Sequence, residues 1–238
     1  MPSIRNIPLR HELKYLITPA EMSVLRGVLK PVMQLDPNGD ENNQYHIRSL
    51  YFDTVFDDAL NDKISGVANR NKYRIRIYNF SDKMIRLECK SKFRDLISKR
   101  SVRITRDLAE QLISADPTGL ESTASGLVSD VYREMRTNLL HPVVIVDYLR
   151  EAYLHPVEDV RITFDRQLRS GMNSIDMFNP HVPTVPPFDH EEIILEVKYN
   201  RELPPYISQV LSFALRDGAV QSAISKYVHC RRFEFKDF

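Results

Sequence analysis

Residues 72–78 read Lys-Tyr-Arg-Ile-Arg-Ile-Tyr. In an extended chain successive side chains point to opposite faces. Lys72, Arg74 and Arg76 therefore share one face, and Tyr73, Ile75 and Ile77 the other. A single strand of this kind reads as a basic surface facing water. The pattern recurs, however: Glu88, Lys90 and Lys92 alternate with Leu87 and Cys89, and Glu196 and Lys198 alternate with Leu195 and Val197. Charges on the face that strands ordinarily bury, repeated on several strands, predict a sheet curled around a charged interior, with its apolar face covered by helices. Like charges held close together repel, so a cationic lumen calls for a multiply charged anion to fill it.

Working outward, strands are expected over residues 10–17, 46–54, 72–80, 84–92, 99–105, 143–153, 157–165 and 191–199, with a short turn at Ser81-Asp82-Lys83. Thr18, Pro19 and Glu21 carry the signs of a helix start, with a cap, an N1 proline and an early acid. Helices are expected from there to about residue 30, and over 57–63, 107–114, 126–140, 205–216 and 220–230. Residues 172–190, with Pro180, Pro183, Pro186 and Pro187, read as loop. The expected fold class is α+β, an antiparallel β tunnel or barrel of about eight strands with a charged lumen, flanked by helices. No repeat or linker interrupts the pattern, and one domain over 1–238 is expected.

Composition narrows the function. The 238 residues carry 33 Lys plus Arg against 32 Asp plus Glu, a net charge of +1. A general nucleic-acid binder usually has an overall basic excess, so cationic sites here are local and no nucleic-acid partner is expected. No apolar run approaches a membrane span, and the N-terminus lacks the apolar core of a signal peptide. The expected compartment is the cytoplasm. The two cysteines, Cys89 and Cys230, do not resemble a secreted disulfide framework.

Arg74 and Arg76 stand about 7 Å apart along their strand, a spacing at which planar guanidinium forks grip neighbouring phosphates. Lys90, Lys92, Arg103, Arg150, Arg161 and Lys198 repeat the theme on other strands. Three Glu-x-Lys pairs, Glu12/Lys14, Glu88/Lys90 and Glu196/Lys198, lie on three separate strands. Their carboxylates read either as ion pairs that neutralise the lumen or as ligands of a hard cation, Mn²⁺ or Mg²⁺, which takes one or two carboxylates plus substrate phosphates. Glu196 is the foremost metal candidate, followed by Glu12 and Glu88. The seven histidines lack zinc-like spacing, and no glycine-rich phosphate loop exists.

These residues, taken together, resemble the triphosphate tunnel metalloenzyme superfamily. Within it they look like the polyphosphate polymerase branch, the catalytic domain of the vacuolar transporter chaperone complex and its bacterial relatives. The resemblance rests on Arg-His-Glu-Leu-Lys-Tyr at 10–15, Ser-Leu-Tyr-Phe-Asp-Thr at 49–54, Lys-Tyr-Arg-Ile-Arg-Ile-Tyr at 72–78 and Leu-Glu-Cys-Lys-Ser-Lys at 87–92. It continues through Lys-Arg-Ser at 99–101, Tyr-Leu-Arg-Glu at 148–151, Val-Arg-Ile-Thr-Phe-Asp at 160–165, Ile-Leu-Glu-Val-Lys-Tyr at 194–199 and Ser-Lys-Tyr at 225–227. It implies that Lys14, Arg74, Arg76, Lys90, Arg150, Arg161, Lys198 and Lys226 contact phosphates of a nucleoside triphosphate or a polyphosphate chain. Lys99 or Arg100 would join them, Tyr148 and Ser225 would donate hydrogen bonds, and Glu196 would hold the divalent metal. In the eukaryotic complex the domain works beside membrane subunits, so a separate membrane-protein partner is compatible with the resemblance; oligomeric state is not legible.

The wider superfamily carries Glu-x-Glu-x-Lys in its first strand, whereas Arg10 stands here in place of the first carboxylate. That departure fits the polymerase branch better than the metal-rich hydrolases and cyclases. The implied activity is metal-dependent transfer of a phosphoryl group from ATP to a growing polyphosphate chain. The alternatives are a tripolyphosphatase or nucleoside triphosphatase, and a non-catalytic sensor of polyphosphate or inositol phosphates.

Overall fold

The alternating stretch at 72–78 lies within a strand, β4 (Asn69–Tyr78), whose apolar side chains Tyr73, Ile75 and Ile77 are buried on one face. The computed structural model describes residues 10–94, 96–121, 125–188, 190–215 and 223–234. In chain order the elements are β1 (His11–Ile17), α1 (Pro19–Leu29), β2 (Gln34–Leu35), β3 (Gln44–Asp53), α2 (Asp58–Ile64), β4, β5 (Ser81–Phe93), β6 (Leu96–Ile104), α3 (Arg106–Ile113) and α4 (Gly126–Asn138). Then come β7 (His141–His155), a 3₁₀ turn at Val157–Asp159, β8 (Val160–Ser170), β9 (Ile193–Tyr199), α5 (Pro205–Ala214) and α6 (Lys226–Glu234).

One antiparallel sheet runs β1-β9-β8-β7-β3-β4-β5-β6, and the short β2 pairs with β7 beside it. Register shifts at Tyr51/Phe52, Arg76/Tyr78 and Asp147/Leu149 interrupt the ladders, and such irregularities increase local twist. The sheet curls until its outer strands meet at one bridge: Arg10 and Ile97 exchange backbone hydrogen bonds of 3.0 and 3.2 Å. Among the described residues no continuous ladder joins β1 to β6, so the wall they form is tunnel-like without being a fully paired barrel.

Period two then sorts the wall. The outer face of β3, β4 and β5 packs Leu50, Phe52, Ile75, Ile77, Leu87 and Cys89 against Leu112 of α3 and Val131 and Met135 of α4. On the other flank Ile162, Phe164, Leu195 and Val197 meet Leu25 and Leu29 of α1 and Ile207 and Leu211 of α5. With about 25 cal/mol gained per Å² of apolar surface buried, these two layers hold the charged face inward. The capping box at α1 forms as expected: Thr18 Oγ1 accepts from Glu21 N–H at 3.2 Å, and Glu21 Oε2 accepts from Thr18 N–H at 2.7 Å.

The β4–β5 turn differs from expectation. Ser81 already pairs with Tyr78, so the turn is the two residues Asn79 and Phe80, both left-handed at φ 49° and 54°. A two-residue hairpin turn with both φ positive matches strand twist, and asparagine tolerates it. Phe80 is held there by tertiary contacts, its ring stacked on His46 at 4.0 Å and lying under Arg48 at 4.7 Å. Asn79 Oδ1 accepts from His46 N–H at 2.8 Å. The last helix begins at Lys226 instead of 220; residues 223–225 are non-helical, and 220–222 lie outside the described residues. Both cysteines are buried. Among the described residues no helix is long and apolar enough to cross a membrane.

Candidate functional site

The curled sheet encloses a cavity of about 980 Å³ lined, among the described residues, by fourteen Lys and Arg side chains and two carboxylates, Glu12 and Glu196. Lys14, Arg74, Arg76, Lys90, Arg150, Arg161, Lys198 and Lys226 all reach it, as do Lys99, Tyr148 and Ser225. Eight strands, α2 and the start of α6 thus converge on one space.

Hydroxyls, carboxylates and cations are interleaved. Arg74 donates from Nε to Glu88 at 2.8 Å and from Nη1 to the Tyr51 hydroxyl at 2.7 Å. Arg76 donates to Ser49 Oγ at 3.1 Å and to the Tyr148 hydroxyl at 3.0 Å. Arg150 grips Asp165 through two parallel bonds of 2.6 and 2.7 Å, and Lys226 Nζ lies 2.6 Å from the same carboxylate. Lys198 pairs with Glu196 at 2.7 Å, while Lys14 bridges Glu12 at 3.1 Å and Glu196 at 3.5 Å. Arg161 reaches Asp36 at 2.8 Å and the Tyr45 hydroxyl at 2.7 Å. The segment before α6 closes over these groups: Lys14 donates to the Ile224 carbonyl at 3.1 Å, and Lys72 to Ser225 Oγ at 3.1 Å.

Two basic residues expected here lie elsewhere. Arg100 is on the outer face of β6, bonded to Asp130 of α4; Lys99 and Arg100 are adjacent, so only one of them can face the lumen. Arg103 keeps the parity of Lys99 but sits near the strand end, exposed, donating to the Lys83 carbonyl at 2.8 Å. Glu88 is buried behind Arg74 and is held between Arg74 and Lys99, outside the cavity lining. Conversely, Asp165, Lys63 and Arg70 belong to the charged array without having been singled out from the sequence. For Arg70 the signal was present, since it extends the 72/74/76 alternation one step back; Lys63 comes from α2, where a strand period says nothing.

Electrostatics follow from burial against charge. Burial raises the Glu196 carboxyl, but Lys198, Lys14, Lys226 and Lys90 outweigh it and hold it well below the ordinary range. For Asp165, too, burial is overcome by Arg150 and Lys226, to about 2. Lys90, Lys99 and Lys63 respond the opposite way. Burial is the leading cause in pushing Lys90 down to about 7, where Glu12 only partly offsets it, and Lys99 down to about 8. Lys63 falls to about 8 through burial and then Arg70, Lys14 and Lys92. These lysines bind fewer protons folded than unfolded, so stability rises with pH between those values and the ordinary 10.5. The protein without bound anion is therefore expected to melt higher at pH 9 than at pH 7, an effect that saturating tripolyphosphate should flatten. Melting curves across that window check it; a flat or falling trend would contradict the charge arrangement.

Among the described residues no three His, Cys, Asp or Glu side chains converge as an all-protein metal site. Magnesium-like cations are usually held by one or two carboxylates together with substrate phosphates. Glu12 and Glu196, which face the cavity and feel one another's charge, supply that smaller donor set.

The fold seen here is a curled antiparallel sheet with its charged face turned inward. It is shared with a putative adenylate cyclase from Bacillus halodurans, 14% identical, with a TM-score of 0.51 over 81% of this chain and 83% of that one. The PH1819 protein of Pyrococcus horikoshii OT3 is 13% identical over 94% and 98% of the two chains at TM-score 0.49. The Pct1 RNA triphosphatase of S. pombe is 11% identical over 97% and 82% at TM-score 0.36. The VTC domain family model matches residues 9–235, and the chain belongs to that family. No curated protein matches the sequence significantly.

Proposed function

We propose that this chain passes the γ-phosphoryl group of a nucleoside triphosphate, ATP in the simplest case, to the end of an inorganic polyphosphate held in the lumen. The observation that carries this reading is the cavity itself, with fourteen basic side chains against two carboxylates among the described residues of its inner wall, in a VTC-domain chain. A polyanion is the ligand that such a wall stabilises best.

Phosphoryl transfer needs little covalent chemistry from the protein; positioning and charge stabilisation supply most of the rate. A terminal phosphate oxygen of the acceptor attacks the γ-phosphorus, the new P–O–P bond forms, and the bond to the β-phosphate oxygen breaks to release ADP. The acceptor oxygen is already anionic, so no general base is required. Arg74 and Arg76 are fixed by Glu88, Tyr51, Ser49 and Tyr148, which orients their forks before substrate arrives. Arg150 and Lys226 are similarly fixed by Asp165. Lys198, Lys14 and Lys90 are held by Glu196 and Glu12 and would exchange these partners for phosphate oxygens. A divalent cation, Mn²⁺ or Mg²⁺, would be held by Glu196 and Glu12 with phosphate oxygens, and when bound would neutralise charge on the transferring group.

The stoichiometry of turnover tests the reading. With a polyphosphate primer, ADP is expected to accumulate without matching orthophosphate. Equal ADP and orthophosphate would make the protein a hydrolase, and tight phosphate-chain binding without turnover under either metal would make it a sensor.

A further inference from the structure

Within the cavity the cations divide into two sets. Those described above sit on carboxylates, whereas Lys63, Arg70, Lys72 and Lys92 form no ion pair among the described residues. They cluster where β4 begins and β5 ends, beside α2. Arg70 lies directly across from Lys92 and Lys72 across from Lys90, and Lys63 reaches in from α2. Arg70 donates to the Val67 carbonyl, with Asp62 the acidic charge acting on it. Among the described residues Lys72 meets Ser225 Oγ at 3.1 Å and the Tyr227 ring, 4.9 Å from its Nζ. Like charges directly opposite on paired strands destabilise a sheet, and burial adds to the penalty. Among the described residues no ion pair offsets this cluster, the Asp62 charge acting on Arg70 alone, so an anion from outside is the partner that fits it.

We infer that Lys63, Arg70, Lys72 and Lys92 form a further anion subsite that engages phosphates beyond the reach of a triphosphate, and so selects a long inorganic polyphosphate chain. The inference rests on the reading of the lumen as a phosphate-chain site. Its geometric basis is length. Arg70 and Arg76 are six residues apart on one strand, about 20 Å at the strand rise, which exceeds a triphosphate. A nucleotide gripped around Arg74 and Arg76 leaves Arg70 and Lys92 without a ligand; a longer chain does not.

The test is metal-free isothermal titration of the full chain with inorganic tripolyphosphate and, separately, medium-chain polyphosphate. The double variant Arg70→Ser/Lys92→Ser is expected to lose about tenfold or more in affinity for the longer chain and less than about twofold for tripolyphosphate. Its melting temperature without ligand is expected at or above wild type, because repulsion is relieved. Lys63→Gln, a change on a helix, is expected to show the same selectivity in smaller measure. Equal losses on both ligands, or no loss on the longer chain, would overturn the subsite. If wild type binds neither ligand, the lumen reading itself fails and takes this inference with it.

Discussion

Lys198→Ala is expected to slow phosphoryl transfer by about a hundred- to a thousandfold, the range seen when one pre-positioned electrostatic donor is removed, while leaving the fold intact. Lys198 is a clean site for the experiment. Its ammonium is partly exposed and holds Glu196 at 2.7 Å, yet Lys14 at 3.5 Å and Arg150 at 3.6 Å remain to compensate that carboxylate. Steady-state rates with saturating ATP, paired with a melting curve, check it. Wild-type turnover in the folded variant would remove Lys198 from the reacting centre. Arg74→Ala is expected to abolish transfer as well, but it strips a partner from the buried Glu88, so its melting curve must accompany the rate.

Asp165→Asn is expected to be the most destabilising conservative change in the lumen. The carboxylate is almost completely buried and satisfies both Arg150 and Lys226. Breaking a buried pair by removing one partner costs about 3–5 kcal/mol. Glu196, 3.6 Å from Arg150, softens the loss toward the lower end, which in a chain of this size is a fall in Tm on the order of 10 °C. A phosphate ligand brings back the missing negative charge. Saturating tripolyphosphate is therefore expected to raise the variant's Tm by more than it raises wild type's, on top of the ordinary mass-action gain. An unchanged Tm, or an identical ligand-induced rise in both proteins, would show that Asp165 does not organise these cations.

Much of this arrangement is legible in the sequence because it is written with period two. Lys72, Arg74 and Arg76 face the lumen for the same reason that Tyr73, Ile75 and Ile77 face α3 and α4, and no tertiary information is needed to separate them. Glu12/Lys14 and Glu196/Lys198 follow the same rule. Parity alone fails where two basic residues are adjacent, as with Lys99 and Arg100, since the strand's phase is set by pairing with β5. It fails again at Arg103, which has the right parity but lies near the end of its strand. Asp165 escaped notice because an acid closing an apolar strand looks like a solvated end; only the pairing of β7 with β8 sets it opposite Arg150. The Asn79–Phe80 turn was hidden because phenylalanine disfavours positive φ, and His46 and Arg48, more than thirty residues back in the chain, supply the contacts that hold it.

The central claim is that the cationic lumen lengthens a phosphate chain, and the most direct measurement follows the γ-phosphate of ATP. The protein is incubated with γ-labelled ATP, Mn²⁺ or Mg²⁺ and a primer of defined length, and the products are resolved by length. The account predicts labelled chains longer than the primer, formed in step with ADP and absent with Lys198→Ala. Label recovered only as orthophosphate, or remaining in ATP while the protein binds the primer, would contradict it.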